Sequence, residues 1–226
     1  MSRFSKLRPF DVAQGKGFTL VELVVVSAII FVITGFILLQ QSKFNSATLL
    51  RSLTYSVALS VRQAQVYGTS VRESAAGSGT FASGYGVHFA IGTPSQYLMY
   101  ADLPGASAPG NGAYDTGEAL PIFTIGNGYV LNKFCATLAG GSTQHCTSGT
   151  PTTISSLSIY FRRPNTDACF SSSQAPAACD FGAAAVYTNA YVEVRSTGNN
   201  DTRSIKVTST GQIAVCQPNL TDLSQC

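Results

Sequence analysis

The chain has 226 residues and a formal net charge of +3, and only 11% of its residues are charged. The first 17 residues hold four basic residues and one acidic residue, which leaves ten of each sign in the rest of the chain. Because that remainder has no net charge, the basic excess is no evidence for a nucleic-acid-binding domain, and a nucleic-acid partner is kept only as an alternative.

A long apolar stretch follows the basic N-terminal segment. Residues 18–39 form an apolar run that holds a single charged residue, Glu22. At a rise of about 1.5 Å per residue the run predicts a helix of roughly 33 Å, enough to cross a bilayer. A carboxylate inside such a helix costs about 2.5–3.5 kcal/mol by insertion scales and needs a partner. No basic residue of the helix lies within reach, so we expect the cation to come from another molecule, which points to assembly.

These residues carry a family resemblance. The basic segment, Gly17, the sequence Phe-Thr-Leu-Val-Glu over 18–22 and the apolar helix together resemble the class III signal of type IV pilins and type II secretion pseudopilins. The resemblance implies that a prepilin peptidase cleaves between Gly17 and Phe18 and that the new amino group of Phe18 is N-methylated. It also implies that Glu22 pairs with the N-terminal amine of a neighbouring subunit.

Two simpler membrane signals share the basic region and the apolar run. The run is too long for a cleaved secretory signal, and a plain single-pass anchor leaves Glu22 unexplained. We therefore predict a leader over residues 1–17, a transmembrane helix over 18–39, an amphipathic continuation of that helix over 40–76 and a β-rich head over 77–226. The positive charge of the leader places it in the cytoplasm and the head outside.

The helix is predicted to continue beyond the membrane segment. From residue 47 to about residue 72, apolar residues recur at spacings of three and four, namely Leu50, Leu53, Val57, Val61 and Ala64. This periodicity is typical of an amphipathic helix that docks on a sheet, with Gln63 and Gln65 largely off the apolar face.

Alternating apolar and polar residues between turn signals predict antiparallel strands in the rest of the chain. The predicted strands are residues 85–91, 96–101, 121–125, 128–134, 154–161, 184–195, 203–209 and 212–215. Residues 196–201 predict a hairpin turn, and their asparagines fit turn chemistry better than a calcium site. We therefore expect an α+β, pilin-like fold, in which one long helix packs on an antiparallel β-sheet head.

All six cysteines lie downstream of the apolar run, which is typical of an exported domain with three disulfides. Fifteen connectivities are open, and the spacing favours Cys135–Cys146, Cys169–Cys179 and Cys216–Cys226. There is no CxxC motif, and we expect no metal and no cofactor.

The C-terminal region carries a second, looser resemblance. Residues 161–164, the hairpin, residues 203–207 and residues 210–213 are similar to the pseudopilin H and fimbrial T family of minor subunits. This resemblance implies a low-copy subunit near a filament tip, with a helix followed by two antiparallel sheets.

Catalytic patterns are poor. A nucleophile–base pair would have to use His88, which lies in a predicted strand, or His145, which adjoins Cys146. No spaced pair of acidic residues suggests glycosidase chemistry. We therefore expect a protein that is not an enzyme.

The sequence predicts a structural subunit of a type IV pilus or a type II secretion pseudopilus. Its expected partners are the prepilin peptidase, other pilin or pseudopilin subunits, an inner-membrane assembly platform and membrane lipid. Two alternatives are an anchored binding module that does not polymerise and a DNA-uptake minor pilin. For the latter the candidate contacts are Arg162, Arg163, Arg203 and Lys206.

Overall fold

The computed structural model describes residues 17–73, 77, 79, 81, 84–103, 110–126, 128–148, 153–175, 186–198, 200–217 and 226. The chain divides into two compact units, Met1–Phe44 and Asn45–Cys226. One helix, α1 (Leu20–Thr69), contributes residues to both units. Most of the predicted leader, residues 1–16, lies outside the described residues.

The strands all belong to the second unit. They are β1 (Gly84–Ala90), β2 (Gln96–Asp102), β3 (Ala119–Thr124), β4 (Tyr129–Leu138), β5 (Gln144–Cys146), β6 (Ser156–Arg162), β7 (Ala168–Ser172), β8 (Tyr187–Ser196), β9 (Thr202–Thr208) and β10 (Ile213–Val215). The helix and the strands confirm the predicted α+β class.

The strands form two antiparallel sheets of five strands each. The first sheet has the order β3-β2-β1-β6-β7 and the second has the order β10-β9-β8-β4-β5. Strand β8 lies at the centre of the second sheet, where its alternating side chains pack into the core. The predicted hairpin joins β8 to β9, and Asn200 in its turn has a φ of +59°, a backbone conformation that asparagine tolerates.

One face of α1 in the second unit is buried among the side chains of both sheets. Val57, Val61 and Ala64 are almost completely buried, as their spacing predicts. Leu53 is only half-buried, and the neighbouring Thr54 is fully buried instead. The hydroxyl of Thr54 donates to the carbonyl oxygen of Leu50 at 2.7 Å. This bond satisfies the hydroxyl inside the helix, so the core tolerates a polar residue there.

The position of Gln65 differs from the prediction. Its side chain is 3% exposed and lies on the packed face of α1. Its amide nitrogen donates to the carbonyl oxygens of Thr166 at 2.9 Å and Gly211 at 3.0 Å. The prediction was wrong because a glutamine side chain is ordinarily expected on the solvent side of a helix. Here two backbone carbonyl groups of distant loops need a hydrogen-bond donor, and the sequence does not show that they lie beside α1. Gln65 thus ties α1 to the β6–β7 loop and to the β9–β10 turn.

Two strands were not predicted, β5 and β7. Strand β5 has only three residues, and Cys146 within it faces Cys135 on β4. Strand β7 pairs along β6 and has one large apolar residue, the buried Phe170, among alanine, cysteine and serine residues. Both lie at sheet edges, where pairing with one neighbour, rather than an apolar pattern, determines the strand.

The structure joins Cys135 to Cys146 and Cys216 to Cys226, which are the pairings that the spacing predicts. In the third predicted pair, Cys169–Cys179, Cys179 lies outside the described residues. The first disulfide links directly opposed residues of β4 and β5.

Replacing Gln65 tests the buried link between α1 and the two loops. We expect Gln65→Leu to lower the free energy of unfolding by about 1–3 kcal/mol, because two buried carbonyl groups lose their donor. The matched control is Gln63→Leu on the exposed face, which we expect to stay within about 0.5 kcal/mol of the wild type. Chemical denaturation of the detergent-solubilised protein, followed by circular dichroism, measures both. Equal losses in the two variants would contradict this role of Gln65.

Candidate functional site

The start of α1 has a well-defined local structure. Gly17, Phe18 and Thr19 precede the first helical residue, Leu20. The hydroxyl of Thr19 accepts a hydrogen bond from the backbone N–H of Glu22 at 3.2 Å. Thr19 is therefore the N-cap and Glu22 the third helical residue, which is the spacing of a capping box. The sequence around Glu22 thus fixes where the helix begins, in addition to any role of its carboxylate.

The carboxylate of Glu22 lies in the first turn of α1, where the helix dipole favours a negative charge. That interaction is worth only about 0.3–1 kcal/mol, less than the cost of a carboxylate in lipid. The next charged residue along the helix is Lys43, 21 positions later and about 31 Å away at the helical rise. Within the helix itself, Glu22 consequently has no cation to neutralise it.

The bond between Gly17 and Phe18 is accessible. Gly17 is exposed and the Phe18 side chain is 79% exposed. A Cβ atom added at Gly17 would meet no heavy atom within 4 Å. Packing among the described residues therefore does not require glycine at position 17.

Residues Leu20–Leu39 are long and apolar enough to cross a membrane, and their side chains are exposed to the surroundings. Twenty helical residues extend about 30 Å, the thickness of a bilayer core. This segment is consistent with a single-pass membrane protein. Gly35 within it has open space around its Cβ position, although glycine costs a helix about 1 kcal/mol relative to alanine.

The second unit contains a buried polar cluster that sequence reasoning missed. On the outer face of the first sheet, the carboxylate of Asp102 accepts the N–H of Gly112 at 3.1 Å. The carboxylate of Glu118 accepts the N–H groups of Leu103 and Asp115, each at 2.9 Å. Burial raises the pKa of both carboxyl groups. Together these bonds hold the described part of the β2–β3 connection against the sheet.

Two tyrosines of this outer face, Tyr100 and Tyr160, occupy space left by glycines. A Cβ atom at Gly84 would lie 2.6 Å from the ring of Tyr160, and one at Gly86 would lie 2.5 Å from the ring of Tyr100. The hydroxyl of Tyr100 donates to the carbonyl oxygen of Gly112 at 2.9 Å. A strand glycine beside a large aromatic residue was the one sequence signal for this packing.

His88 lies in the same region, in contact with a serine. Its Nδ1 is 2.8 Å from the hydroxyl of Ser158, and its ring lies 4.9 Å from the ring of Tyr114. A Ser–His contact is also the first requirement of nucleophilic catalysis, but Ser158 is only 3% exposed. The geometry fits a hydrogen-bonded core histidine, since a substrate would need access to the serine hydroxyl.

The second histidine, His145, contacts the hydroxyl of Tyr187 through its Nδ1 at 2.9 Å. Among the described residues there is no group of three or more His, Cys, Asp or Glu residues that could hold a metal ion. The candidate DNA contacts are divided between the sheets, with Arg162 on β6 and Arg203 and Lys206 on β9. Lys206 lies over the ring of Tyr191 at 5.7 Å.

Comparisons with protein-family models, with curated proteins and with solved structures give no match. A functional assignment therefore depends on the residues and their geometry.

The partly buried His88 predicts a specific dependence of stability on pH. Burial lowers the pKa of His88 from 6.5 to about 4. Between these values the unfolded chain binds a proton that the folded protein rejects, so stability falls as the pH drops from 6.5 to 4. The largest loss from His88 is about 3 kcal/mol. Asp102 and Glu118, whose pKa values are raised, bind protons more readily in the folded protein than in the unfolded chain. They therefore increase the stability as the pH falls, opposite to His88.

We expect His88→Gln to reduce the loss of stability between pH 7 and pH 4.5, because glutamine keeps a hydrogen-bonding group but does not gain a proton. His145→Gln is the control for replacing a hydrogen-bonded histidine while His88 is retained. Urea unfolding of the full chain at the two pH values measures the difference. A His88→Gln variant with an unchanged pH dependence would show that His88 is not a source of the effect.

Proposed function

We propose that this chain is a structural subunit of an envelope filament, of the type IV pilin or type II secretion pseudopilin kind. The observation that carries the proposal is the lone carboxylate of Glu22 in the first turn of an exposed, apolar helix. That helix directly follows an accessible Gly17–Phe18 bond. An anchor needs only the apolar helix. The carboxylate of Glu22 has no cation within that helix, and a neighbouring subunit could supply one.

Cleavage after Gly17 would supply the missing cation. It removes the basic leader and creates an amino group on Phe18, at the same end of the helix as Glu22. In a neighbouring copy shifted along the filament axis, that amine lies opposite Glu22, and the pair forms in an apolar environment where charges attract strongly. N-methylation of the amine keeps its positive charge. The implied partners are a prepilin peptidase, other subunits, an assembly platform and membrane lipid before assembly.

The head fits a subunit that is exported before it assembles. Two disulfides close short loops of the second sheet, and disulfides persist outside the cytoplasm. The helix packed against two antiparallel sheets agrees with what the resemblance to minor pseudopilins implies. The balanced charge of the chain after residue 17 gives no support to a DNA-uptake role.

Processing can be tested at Gly17. We expect the exported protein to begin at Phe18 and to carry one methyl group, as measured by intact-mass spectrometry. Gly17→Leu should leave the leader attached, because a bulky side chain blocks the peptidase while the open space around the position accommodates it. Gly35→Leu is the matched control, since its Cβ position is equally open, and it should be processed normally. Wild-type protein that retains Met1 in its functional form would refute the proposal.

Assembly can be tested at Glu22. Glu22→Gln removes the charge and keeps the shape, so we expect the membrane level to be unchanged while incorporation into filaments falls. The expected loss is about tenfold or more, the factor that 1.4 kcal/mol of lost pairing produces. Ser27→Ala, which removes a hydroxyl bonded within the same helix, is the control and should incorporate normally. Normal incorporation of Glu22→Gln would instead fit a static membrane anchor. Quantitative blots of sheared filaments and of membranes provide both measurements.

A further inference from the structure

The second sheet has an open edge beside α1. Strand β10 is its terminal strand, and no described strand pairs with its outer side. The N–H of Thr208 donates to Gln212 and the N–H of Cys216 donates to Ser204. In an antiparallel ladder, bonded residues alternate with residues whose backbone groups point away. The N–H and C=O groups of Ile213 and Val215 therefore point toward the open edge.

A groove lies along this edge, and we name it the α1–β10 groove. It has a volume of about 490 Å³ and is lined mainly by Tyr55, Leu59, Arg62, Gln212, Ile213 and Val215. Leu59 is 68% exposed and Tyr55 is 44% exposed. The side chains of Ile213 and Val215 pack against the core. The groove thus offers unpaired backbone groups next to an apolar helix surface, which is the chemistry that an added β-strand requires.

Among the described residues, no strand pairs with the outer side of β3 in the first sheet. Strand β3 is its terminal strand and holds no charged residue. The N–H of Ile125 donates to Ser95, and residues 124 and 122 face residues 96 and 98 of β2. By the same alternation, the backbone groups of Ile122 and Thr124 point away from β2. Because outward-pointing groups recur every second residue on any antiparallel edge, Ile122 and Thr124 can pair with Val215 and Ile213.

The exposed side chain of Ile122 on β3 lies on the face that a pairing with β10 would direct toward α1. Ile122 faces Leu98, so its side chain lies on the outer face of the first sheet, where it is 59% exposed. When Ile122 opposes Val215 and Thr124 opposes Ile213 in an antiparallel pair, facing side chains share one face of the joined sheet. Ile122 then points toward Tyr55 and Leu59 and fills the α1–β10 groove.

We propose that β3 of one copy of this chain adds to β10 of another copy, so that the exposed Ile122 occupies the α1–β10 groove. The inference rests on the proposed function, in that it supplies the contact between heads of assembled subunits. The two surfaces are different parts of one chain, so the contact is heterologous. Each added copy leaves one free β3 edge and one free β10 edge, so the contact can repeat from copy to copy. Such a contact suits a filament better than a closed dimer.

Cysteine cross-linking in native membranes and filaments tests the contact. Differently tagged copies of the full chain carry Ile122→Cys and Val215→Cys and are expressed together under mild oxidation. Opposed residues of an antiparallel pair lie about 5.5 Å apart at their Cα atoms, within disulfide range. We expect a mixed dimer whose new disulfide is identified by mass spectrometry. Ile91→Cys, a similarly exposed isoleucine, replaces Ile122→Cys in the control, and we expect roughly tenfold less mixed dimer from that pair.

A second pair of variants guards against effects of the cysteines on folding. Leu59→Lys places a charge in the groove and, in the Val215→Cys copy, should reduce the mixed dimer by roughly tenfold. Val66→Lys, at an exposed position of the same helix outside the groove lining, should leave the yield unchanged. Equal yields from Ile122→Cys and Ile91→Cys, or equal effects of the two lysine variants, would overturn the proposal.

The readout at Glu22 separates this inference from the proposed function. If Glu22→Gln fails to incorporate and the Ile122→Cys and Val215→Cys copies with Glu22 intact enter filaments without cross-linking, only the head contact is wrong. If Glu22→Gln incorporates normally, the filament proposal is wrong. The cross-link between membrane-anchored copies then still decides whether the two edges meet.

Discussion

A helix that is apolar on every side and a helix that is apolar on one side obey different solvation rules, and α1 follows both along its length. Residues 20–39 expose apolar side chains in all directions, which only lipid or other apolar helices can satisfy. Residues 50–65 bury one stripe among two sheets and leave the other side exposed, where polar residues such as Gln63 alternate with the apolar Tyr55 and Leu59. Within the apolar part, Glu22 places one charged carboxylate where lipid cannot solvate it. The burial of that charge is the constraint on which the proposed assembly depends.

Periodicity predicted those parts of the fold in which side chains alternate between core and solvent. Helix α1 and strands such as β1, β8 and β9 show clear apolar patterns, and the structure places the three strands close to their predicted bounds, whereas α1 ends at Thr69 instead of residue 76. Strand β5 has no such pattern, because its position follows from a cross-strand disulfide between Cys135 and Cys146. Periodicity cannot find a strand that is determined by one covalent link.

Buried polar residues were the other limit of sequence reasoning. Gln65, Asp102 and Glu118 look like surface residues, yet each satisfies backbone groups of a loop that is distant or irregular. The burial of such residues can be explained only when the position of the loop is known, because their side chains form hydrogen bonds with N–H and C=O groups of that loop. At the start of α1 the N-cap bond between Thr19 and the Glu22 N–H is local, so the sequence alone suffices to predict where the helix begins.

The open edges of the head can be understood in the same physical terms. Soluble proteins protect strand edges with charged residues, prolines, bulges or very short strands, because a free edge recruits other strands. Strand β3 has Pro121 and a bulge opposite β2, and β10 is only three residues long, so both edges are weak templates in dilute solution. Two pairs of backbone groups and one isoleucine would not hold free copies together. Copies anchored in one membrane or joined through their helices have a high effective concentration, and a contact that is too weak in solution then forms. Under the proposed assembly, a short edge would allow the heads to stay separate until their helices had been brought together.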